Sequence, residues 1–220
     1  MNRLTLLLLS ILVIFSYTNA KAQNIHLQDV STQFRLIEDE GLIISFENHL
    51  GEMNAFAVQT KAGGFTEISI PGYGSSTDEG NPKLPVLRQL LEVPYGAGFD
   101  ISYTNIETRM LKLNSFDIYH PIFPAQPPIP KNIENPDELE FVVNQATYSQ
   151  NAFYGQELVT ITDEGFLRGL RLARLEISPI KYNPVTGELL VITGFTCEIN
   201  FRGGNLSLTE FEKNRVFSPY

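Results

Sequence analysis

Few side chains in this sequence are spaced for catalysis or for metal binding. The three histidines, His26, His49 and His120, form no His-x-x-x-His pattern, and the single cysteine, Cys197, cannot complete a Cys-x-x-Cys pair. No Gly-x-Ser-x-Gly elbow, phosphate-binding loop or dinucleotide fingerprint occurs in the 220 residues. We therefore expect no catalytic residue, no cofactor and no metal ligand in this chain, and an enzyme is the least favoured interpretation.

The acidic pairs and the thiol have ordinary structural interpretations. Asp78-Glu79 and Asp137-Glu138 lie in segments with loop composition, and neither pair has the oxygen-rich spacing of a calcium loop. Solvated loops are favoured over calcium binding. Cys197 lies in residues 194–201, which alternate as a strand does, so a buried structural thiol is favoured over a nucleophile.

Basic side chains are the better candidates for contact with another molecule. Arg168, Arg171 and Arg174 recur in a segment that alternates like a strand with one face in a core and the other in water. On such a strand Arg168 and Arg174 share a face while Arg171 points the other way, unless a bulge intervenes. A charged outer strand face is the favoured interpretation, and contact with a partner is the alternative.

These arginines belong to residues 165–193, which predict the central hairpin of a β-rich domain. The turn is Tyr182-Asn-Pro-Val-Thr-Gly187. Pro184 fixes its own φ, Asn183 can bond neighbouring backbone groups, and Gly187 permits a positive φ. The chain can then return as Leu189–Thr193 and pair antiparallel with the preceding strand.

Similar strand patterns recur elsewhere, with turn signals about every 8–12 residues. They cover residues 34–38, 42–47, 53–60, 65–70, 99–103, 109–113, 140–143 and 157–162, while residues 86–93 fit either a strand or a short helix. Together they predict an all-β fold, an antiparallel β-sandwich or jelly-roll-like domain with long Pro-rich loops. We expect the domain to cover residues 23–204 and a polar, helix-tolerant junction segment to cover residues 205–220.

The Pro-rich segment, residues 121–136, is predicted to be extended and polyproline-like. Two interpretations stay open, a linker between two subdomains or an arm that lies across another protein. Lys131 is its one basic residue.

The first 22 residues predict a secretory signal peptide. A short positive start precedes an apolar run from Leu4 to Tyr17, and Ala20-Lys-Ala22 places small residues before a cleavage site at Ala22. The apolar run is short for a spanning helix, so we expect no membrane anchor and a secreted, periplasmic or extracellular, protein. Removing residues 1–22 takes away two basic residues and no acid, so the formal charge changes from −9 to about −11. Such an acidic domain argues against nucleic acid as a partner.

Five phrases of the sequence, taken together and in order, resemble the propeptide of the gingipain-type cysteine proteases. They are Gly80-Asn-Pro-Lys-Leu-Pro85, Leu91-Glu-Val-Pro-Tyr-Gly-Ala97, Phe123-Pro-Ala-Gln-Pro-Pro128, Gly165-Phe-Leu-Arg-Gly-Leu-Arg-Leu-Ala173 and Tyr182-Asn-Pro-Val-Thr-Gly187. The resemblance spans roughly residues 80–200. It implies an all-β domain of a secreted bacterial precursor that assists the folding of a cysteine protease and holds it latent as a zymogen.

This resemblance makes the gingipain-type catalytic domain the expected partner, in cis or in trans. The Cys-His pair of that catalytic domain is missing from this chain, and Cys197 lies within the propeptide-like part. The alternative is an extracellular β-sandwich that binds carbohydrate or a cell-surface partner, which fifteen Phe and nine Tyr allow. The oligomeric state stays open.

The resemblance also assigns candidate residues for protease contact. A protease with Arg or Lys specificity needs a basic side chain in its specificity pocket, and the limited φ freedom of a Pro-rich arm lowers the ordering cost of binding. Lys131 is the first candidate for that pocket, with Arg168, Arg171 and Lys83 as rivals. Arg215, in Lys213-Asn-Arg-Val216, is the candidate processing site for release.

Overall fold

Short alternating segments become antiparallel strands in the structure, a computed structural model that describes residues 22–132 and 139–216. The strands are β1 (Gln23–His26), β2 (Gln33–Asp39), β3 (Ile43–His49), β4 (Glu52–Thr60), β5 (Gly63–Ser69), β6 (Gly74–Ser75), β7 (Pro85–Glu92), β8 (Gly98–Lys112), β9 (Val159–Leu167), β10 (Leu170–Ile177), β11 (Ile180–Asn183) and β12 (Glu188–Arg202). Two helices, α1 (Gln145–Ser149) and α2 (Leu206–Val216), and a short 3-10 helix at Leu113–Phe116 complete the described elements. The prediction of an all-β, mainly antiparallel fold is confirmed.

Strand β12 lies in the middle of the largest sheet. One of its edges pairs antiparallel with β8 along almost the whole of both strands. Its other edge pairs first with β11 and then with β3, and β2 extends the sheet beyond β3. The other two sheets of the described chain have the orders β1-β4-β5 and β6-β7-β10-β9.

Alternate residues of β12 enter two hydrophobic cores. Leu189 packs with Met53 and other residues of the three-stranded sheet in the first core. Phe195 and Cys197 pack with Leu175 of the four-stranded sheet in the second core. Burying a side chain of the size of Phe195 stabilises the fold by about 1.5–3 kcal/mol, so β12 ties all three sheets together.

The predicted buried thiol is confirmed. Cys197 is 0% exposed within the second core. Burial disfavours the thiolate and, together with the nearby Glu198, raises the pKa of Cys197 to about 12. A neutral thiol of this kind packs as a small apolar side chain and does not act as a nucleophile.

The turn between β11 and β12 has the chemistry that the sequence predicts. The side-chain oxygen of Asn183 accepts hydrogen bonds from the backbone N–H groups of Val185 and Thr186, at 3.1 and 3.3 Å. Gly187 has φ of +67°, a conformation that costs glycine little. Local turn residues therefore place the start of β12 beside β11.

The long strand predicted from Arg168 is divided in the structure, since β10 pairs with β9 and β7, and of its two parts only β11 pairs with the start of β12. The hairpin of β9 and β10 supplies a turn that the sequence did not predict. Leu167 pairs with Leu170, and the two residues between them, Arg168 and Gly169, have φ of +49° and +78°. Positive φ at both central positions defines a two-residue type I′ turn, which matches the twist of the flanking strands. Arg168 consequently lies at the tip of the hairpin. The alternation of the sequence had placed it within a strand, and that prediction is wrong.

The structure also shows the secondary structure of three other segments for which the sequence made a prediction. Residues 86–93 are predominantly strand, in β7, and not a helix. Residues 140–143 form no strand, so that prediction is wrong. Residues 206–216 are helical, and no helix within the described residues is long and apolar enough to cross a membrane.

Candidate functional site

The first half of the Pro-rich segment is built into the fold. Thr66 of β5 donates its backbone N–H to the carbonyl of Pro121 at 2.8 Å, and Phe123 donates its N–H to the carbonyl of Thr66 at 2.7 Å. Ile122, between them, is fully buried in the first core. Residues 121–123 thus lie along β5 as a short extra strand, which overturns the linker interpretation for this half of the segment.

The other side of this short strand is bound by the loop before β7. Lys83 donates its backbone N–H to the carbonyl of Phe123 at 2.9 Å, and Ala125 donates its N–H to the carbonyl of Asn81 at 2.8 Å. Gly80 donates its N–H to the carbonyl of Ala125 at 2.7 Å. Backbone pairing on both edges holds residues 121–125 rigidly, because paired backbone groups in a buried strand resist local opening.

Gln126 closes the base of the loop that follows. Its side-chain amide nitrogen donates to the carbonyl of Val142 at 2.9 Å, and its side-chain oxygen accepts the backbone N–H of Val142 at 3.0 Å. One amide therefore satisfies both polar groups of a backbone position 16 residues later. We name the described residues 127–132 and 139–141 the exposed loop, and the Gln126–Val142 pair joins the two ends of this segment.

Three aromatic rings pack beside this junction. The ring centroids of Phe65, Phe123 and Phe141 lie 5.4 to 5.9 Å from one another. Edge-to-face and tilted pairs of this kind add about 0.5–1.5 kcal/mol each beyond the area that they bury. The returning end of the exposed loop, at Phe141, is therefore held against β5.

Lys131 lies on the exposed loop, directly after Pro127, Pro128 and Pro130. Its side chain is exposed, and among the described residues it forms no hydrogen bond or ion pair. A cleft of about 970 Å³ lies beside the loop and is lined mainly by Phe123, Phe141, Leu139 and the same prolines. The acidic pair Asp137-Glu138 lies outside the described residues.

The rival lysine, Lys83, is occupied within the fold. Its ammonium forms an ion pair with Glu67 at 2.6 Å and lies 5.9 Å from the centroid of the Phe123 ring. Removing Lys83 from these contacts would leave Glu67 without its partner. Lys131 is therefore the more available of the two lysines.

Arg171 is also occupied within the fold. Its side chain is only 12% exposed, and its Nε donates to the carboxylate of Asp163 at 3.0 Å. Its Nη1 donates to the carbonyls of Pro94 and Ala97, both at 2.9 Å, and its guanidinium lies 5.7 Å from the Phe99 ring. These contacts give Arg171 a structural role, and its contact with a protease stays an untested prediction.

Arg168, unlike Arg171, is available for contact with another molecule. It is exposed at the hairpin tip, and no hydrogen bond or ion pair involves its side chain within the described residues. Its neighbours Phe166 and Leu167 are exposed apolar side chains. Arg168 and Lys131 are therefore the two candidate contact residues that the fold leaves available.

The two candidate processing residues lie at opposite ends of the described chain. Ala22 is exposed and immediately precedes β1, which pairs with β4. Arg215 is exposed in the last turn of α2, where its Nη2 forms an ion pair with Glu212 at 2.6 Å. Neither assignment as a cleavage site is tested by these positions.

His26 and Asp78, two of the remaining chemical candidates, have partners within the fold. His26 pairs with Asp29 at 2.9 Å on the surface, and Asp78 accepts hydrogen bonds from the Tyr154 hydroxyl and the Gln156 amide at 2.9 and 2.6 Å. Within the described residues no three His, Cys, Asp or Glu side chains are grouped to hold a metal ion.

Sequence reasoning missed Gln126 and Asn81. Asn81 accepts hydrogen bonds from the side chains of Asn144 and Thr147 at 2.9 and 2.7 Å, which holds the chain after the exposed loop against the loop before β7. Both residues lie in phrases that carry the family resemblance, but their partners are more than 15 residues away in sequence. No local pattern indicates such contacts.

Replacing Gln126 with alanine should loosen the exposed loop. Both backbone groups of Val142 lose their partner, and two hydrogen bonds of this kind contribute about 1–3 kcal/mol. We expect a loss of that size in the free energy of unfolding, measured by urea denaturation, and faster trypsin cleavage after Lys131. The control is Gln150→Ala, which changes an exposed glutamine whose side chain has no partner among the described residues. Unchanged stability and cleavage in the Gln126 variant would contradict the structural role.

Comparison with known proteins identifies the family to which this chain belongs. Residues 27–217 match the family model Propeptide_C25. Lys-gingipain of Porphyromonas gingivalis is 33% identical over 169 residues, which is 77% of this chain but only 10% of that protein. A solved structure on the zymogenic latency of gingipain K, from the same organism, matches with a TM-score of 0.78 and 29% identity over 84% of this chain and 100% of that chain. A second, the complex of RgpB pro- and mature domains, matches with a TM-score of 0.66 and 26% identity over 84% of this chain and 96% of that chain. The chain therefore belongs to the Propeptide_C25 family and is a propeptide domain of the gingipain type, not a catalytic domain.

Proposed function

We propose that this chain holds a gingipain-type cysteine protease latent by occupying the substrate-binding cleft of its catalytic domain, and that it assists the folding of that domain. Support comes from the similar solved structures, whose subjects are the latency of gingipain K and the complex of RgpB pro- and mature domains. The chain spans about a tenth of the length of the Lys-gingipain relatives, so the protease partner is part of this proposal.

The observation that carries the proposal is the position of Lys131. It projects from the exposed loop without a partner in the described residues. The Gln126–Val142 pair and the packed rings of Phe65, Phe123 and Phe141 hold the base of the loop. A loop held at its base presents one side chain with little loss of conformational entropy on binding. The lysine side chain favours a catalytic domain with Lys specificity, where its ammonium pairs with an acidic group in the pocket.

Export and release complete the proposal. Residues 1–22 direct secretion and are removed after Ala22, which leaves the acidic domain outside the cytoplasm. A cut after Arg215, beyond the last strand, then separates the domain from the catalytic domain. Strands β1 to β12 and the first turns of α2 lie between these two positions.

Titration of a gingipain-type catalytic domain with the purified chain tests latency. The chain should inhibit hydrolysis of a fluorogenic Lys substrate with a stoichiometric, reversible and competitive pattern, because Lys131 and the substrate lysine need the same pocket. Bovine serum albumin, another acidic protein, serves as the control for non-specific effects. Full activity at micromolar concentrations of the chain would overturn the latency proposal. Recovery of activity when the denatured catalytic domain refolds with and without the chain tests the folding role separately.

A further inference from the structure

Helix α2 is attached to the domain at its first turn by a small hydrogen-bonded group. The side-chain oxygen of Asn205 accepts the backbone N–H of Leu208 at 2.9 Å and so caps the helix. Tyr95, just after β7, donates its backbone N–H to the hydroxyl of Thr209 at 2.9 Å and accepts the N–H of Asn205, also at 2.9 Å. The beginning of the helix is therefore firmly placed.

The second half of α2 is held by one long-range contact. The ammonium of Lys213 lies 3.0 Å from both carboxylate oxygens of Glu92, the last residue of β7 and 121 positions earlier in the chain. Among the described contacts no other side-chain hydrogen bond or ion pair connects residues 210–216 to the body of the domain. Phe211 adds little apolar anchoring, since it is 62% exposed.

Proteolysis at this helix requires local unwinding. Peptides in protease clefts are held in extended form, so a helical bond becomes a substrate only when its turn opens. An isolated helix of about 11 residues is marginal in water, and its ends open most easily. The contact that opposes this opening at Lys213 is the ion pair with Glu92.

We propose that the Lys213–Glu92 ion pair selects the junction bond that is cut and limits the rate of the cut, which rests on the proposed processing at Arg215. Glu92 keeps Lys213 against β7, so the Lys213–Asn214 bond stays helical. The Arg215–Val216 bond lies beyond this tie and opens first. A protease that cuts after Arg then hydrolyses that bond, with water adding its hydroxyl to the carbonyl carbon and its proton to the released amine. Glu92 is thus a positioning residue for processing and takes no part in the hydrolysis.

The test uses the full chain and trypsin, which cuts after both Lys and Arg and does not depend on the proposed protease partner. Mass spectrometry follows release of the peptides 216–220 and 214–220, which report cuts after Arg215 and Lys213. In the unaltered chain, the cut after Arg215 should dominate. In Glu92→Gln, the cut after Lys213 should rise about three- to fivefold, the range expected for loss of a partly exposed ion pair. Salt at 0.5 M, where the Debye length falls to about 4 Å, should raise the cut after Lys213 in the unaltered chain and have little effect on Glu92→Gln.

Two further variants distinguish loss of the Lys213–Glu92 ion pair from the loss of any one surface charge. Lys213→Gln removes the ion pair and one cleavage site. Because the ion pair limits the rate of cutting, Lys213→Gln and Glu92→Gln should both raise the cut after Arg215, and by the same factor. Glu38→Gln removes one exposed negative charge on β2 and should change neither rate. Equal rates in Glu92→Gln and the unaltered chain, with the cut after Arg215 present, would overturn the ion-pair proposal alone. Absence of both cuts in every variant would overturn the proposed processing site and the ion-pair proposal with it.

Discussion

Replacing Lys131 with alanine is expected to raise the inhibition constant toward a Lys-specific gingipain-type catalytic domain by at least about 30-fold. Truncating one partner of a buried, hydrogen-bonded charge pair costs about 2–5 kcal/mol, because the other charge is left buried and unpaired. The free chain should not be destabilised, since Lys131 is exposed and has no partner among the described residues. The measurement is the inhibition constant from competition with a fluorogenic Lys substrate.

The matched control for Lys131→Ala is Lys112→Ala. Lys112 is an exposed lysine at the end of β8, also without a partner in the described residues, and its removal should leave the inhibition constant unchanged. Lys131→Arg keeps the positive charge and tests whether the pocket distinguishes an ammonium from a guanidinium. Unchanged inhibition by Lys131→Ala would exclude Lys131 from the pocket, and a loss in Arg168→Ala instead would assign the pocket to the hairpin tip.

Replacing Arg171 with alanine is expected to lower the free energy of unfolding by about 2–4 kcal/mol. The change leaves the carbonyls of Pro94 and Ala97 without a charged donor and removes the partner of Asp163. Hydrogen bonds to a charged group contribute about 1.5–3 kcal/mol each. The expected loss is smaller than the sum over the bonds of Arg171, because water reaches part of this site. Urea denaturation followed by circular dichroism measures the change.

Arg168→Ala is the control for Arg171→Ala. Arg168 lies only three positions away on the hairpin tip and has no partner in the described part, so its removal should alter stability by less than about 0.5 kcal/mol. Equal stability of the two variants would contradict the structural role of Arg171. If Arg171→Ala folds stably and loses inhibition, Arg171 is a protease contact after all.

The pH dependence of the free energy of unfolding tests the Arg171–Asp163 ion pair in a second way. The hydrogen bond from Arg171, with a further one from the backbone N–H of Gly165, lowers the pKa of Asp163 below its usual value. A carboxyl whose pKa is lower in the folded state adds stability above its unfolded pKa of about 3.9, and this stability is lost as the pH falls through the folded value. The difference in stability between the unaltered chain and Arg171→Ala should therefore shrink below about pH 4.

The strands and turns were largely predictable from the sequence because their causes are local. Alternation located β3, β4, β5 and most of β12, and the residues Asn183 and Gly187 identified the turn between β11 and β12. The hairpin tip at Arg168 was misplaced because an arginine gives no sign of a positive φ. Glycine at 169 was the only local indication of the turn.

The candidate site was only partly predictable. Lys131 was identified because it is the one basic residue in a Pro-rich segment. Nothing in the sequence shows that Lys83 is paired with Glu67, 16 residues away, or that Gln126 bonds to Val142. Contacts between distant positions depend on which strands pair. The strand order β6-β7-β10-β9 cannot be predicted from any local sequence pattern.

The sequence by itself determined the all-β class, the buried thiol at Cys197 and the membership of a propeptide family, because alternation, apolar content and ordered motifs are properties of the chain alone. Only the tertiary structure decided which basic residues are available. It places Arg171 beside the carbonyl of Pro94, 77 positions earlier, and Lys213 beside Glu92, while Lys131 and Arg168 stay exposed. The physical reason is that a charged side chain is occupied or available according to its neighbours in space, and those neighbours are set by the packing of the sheets.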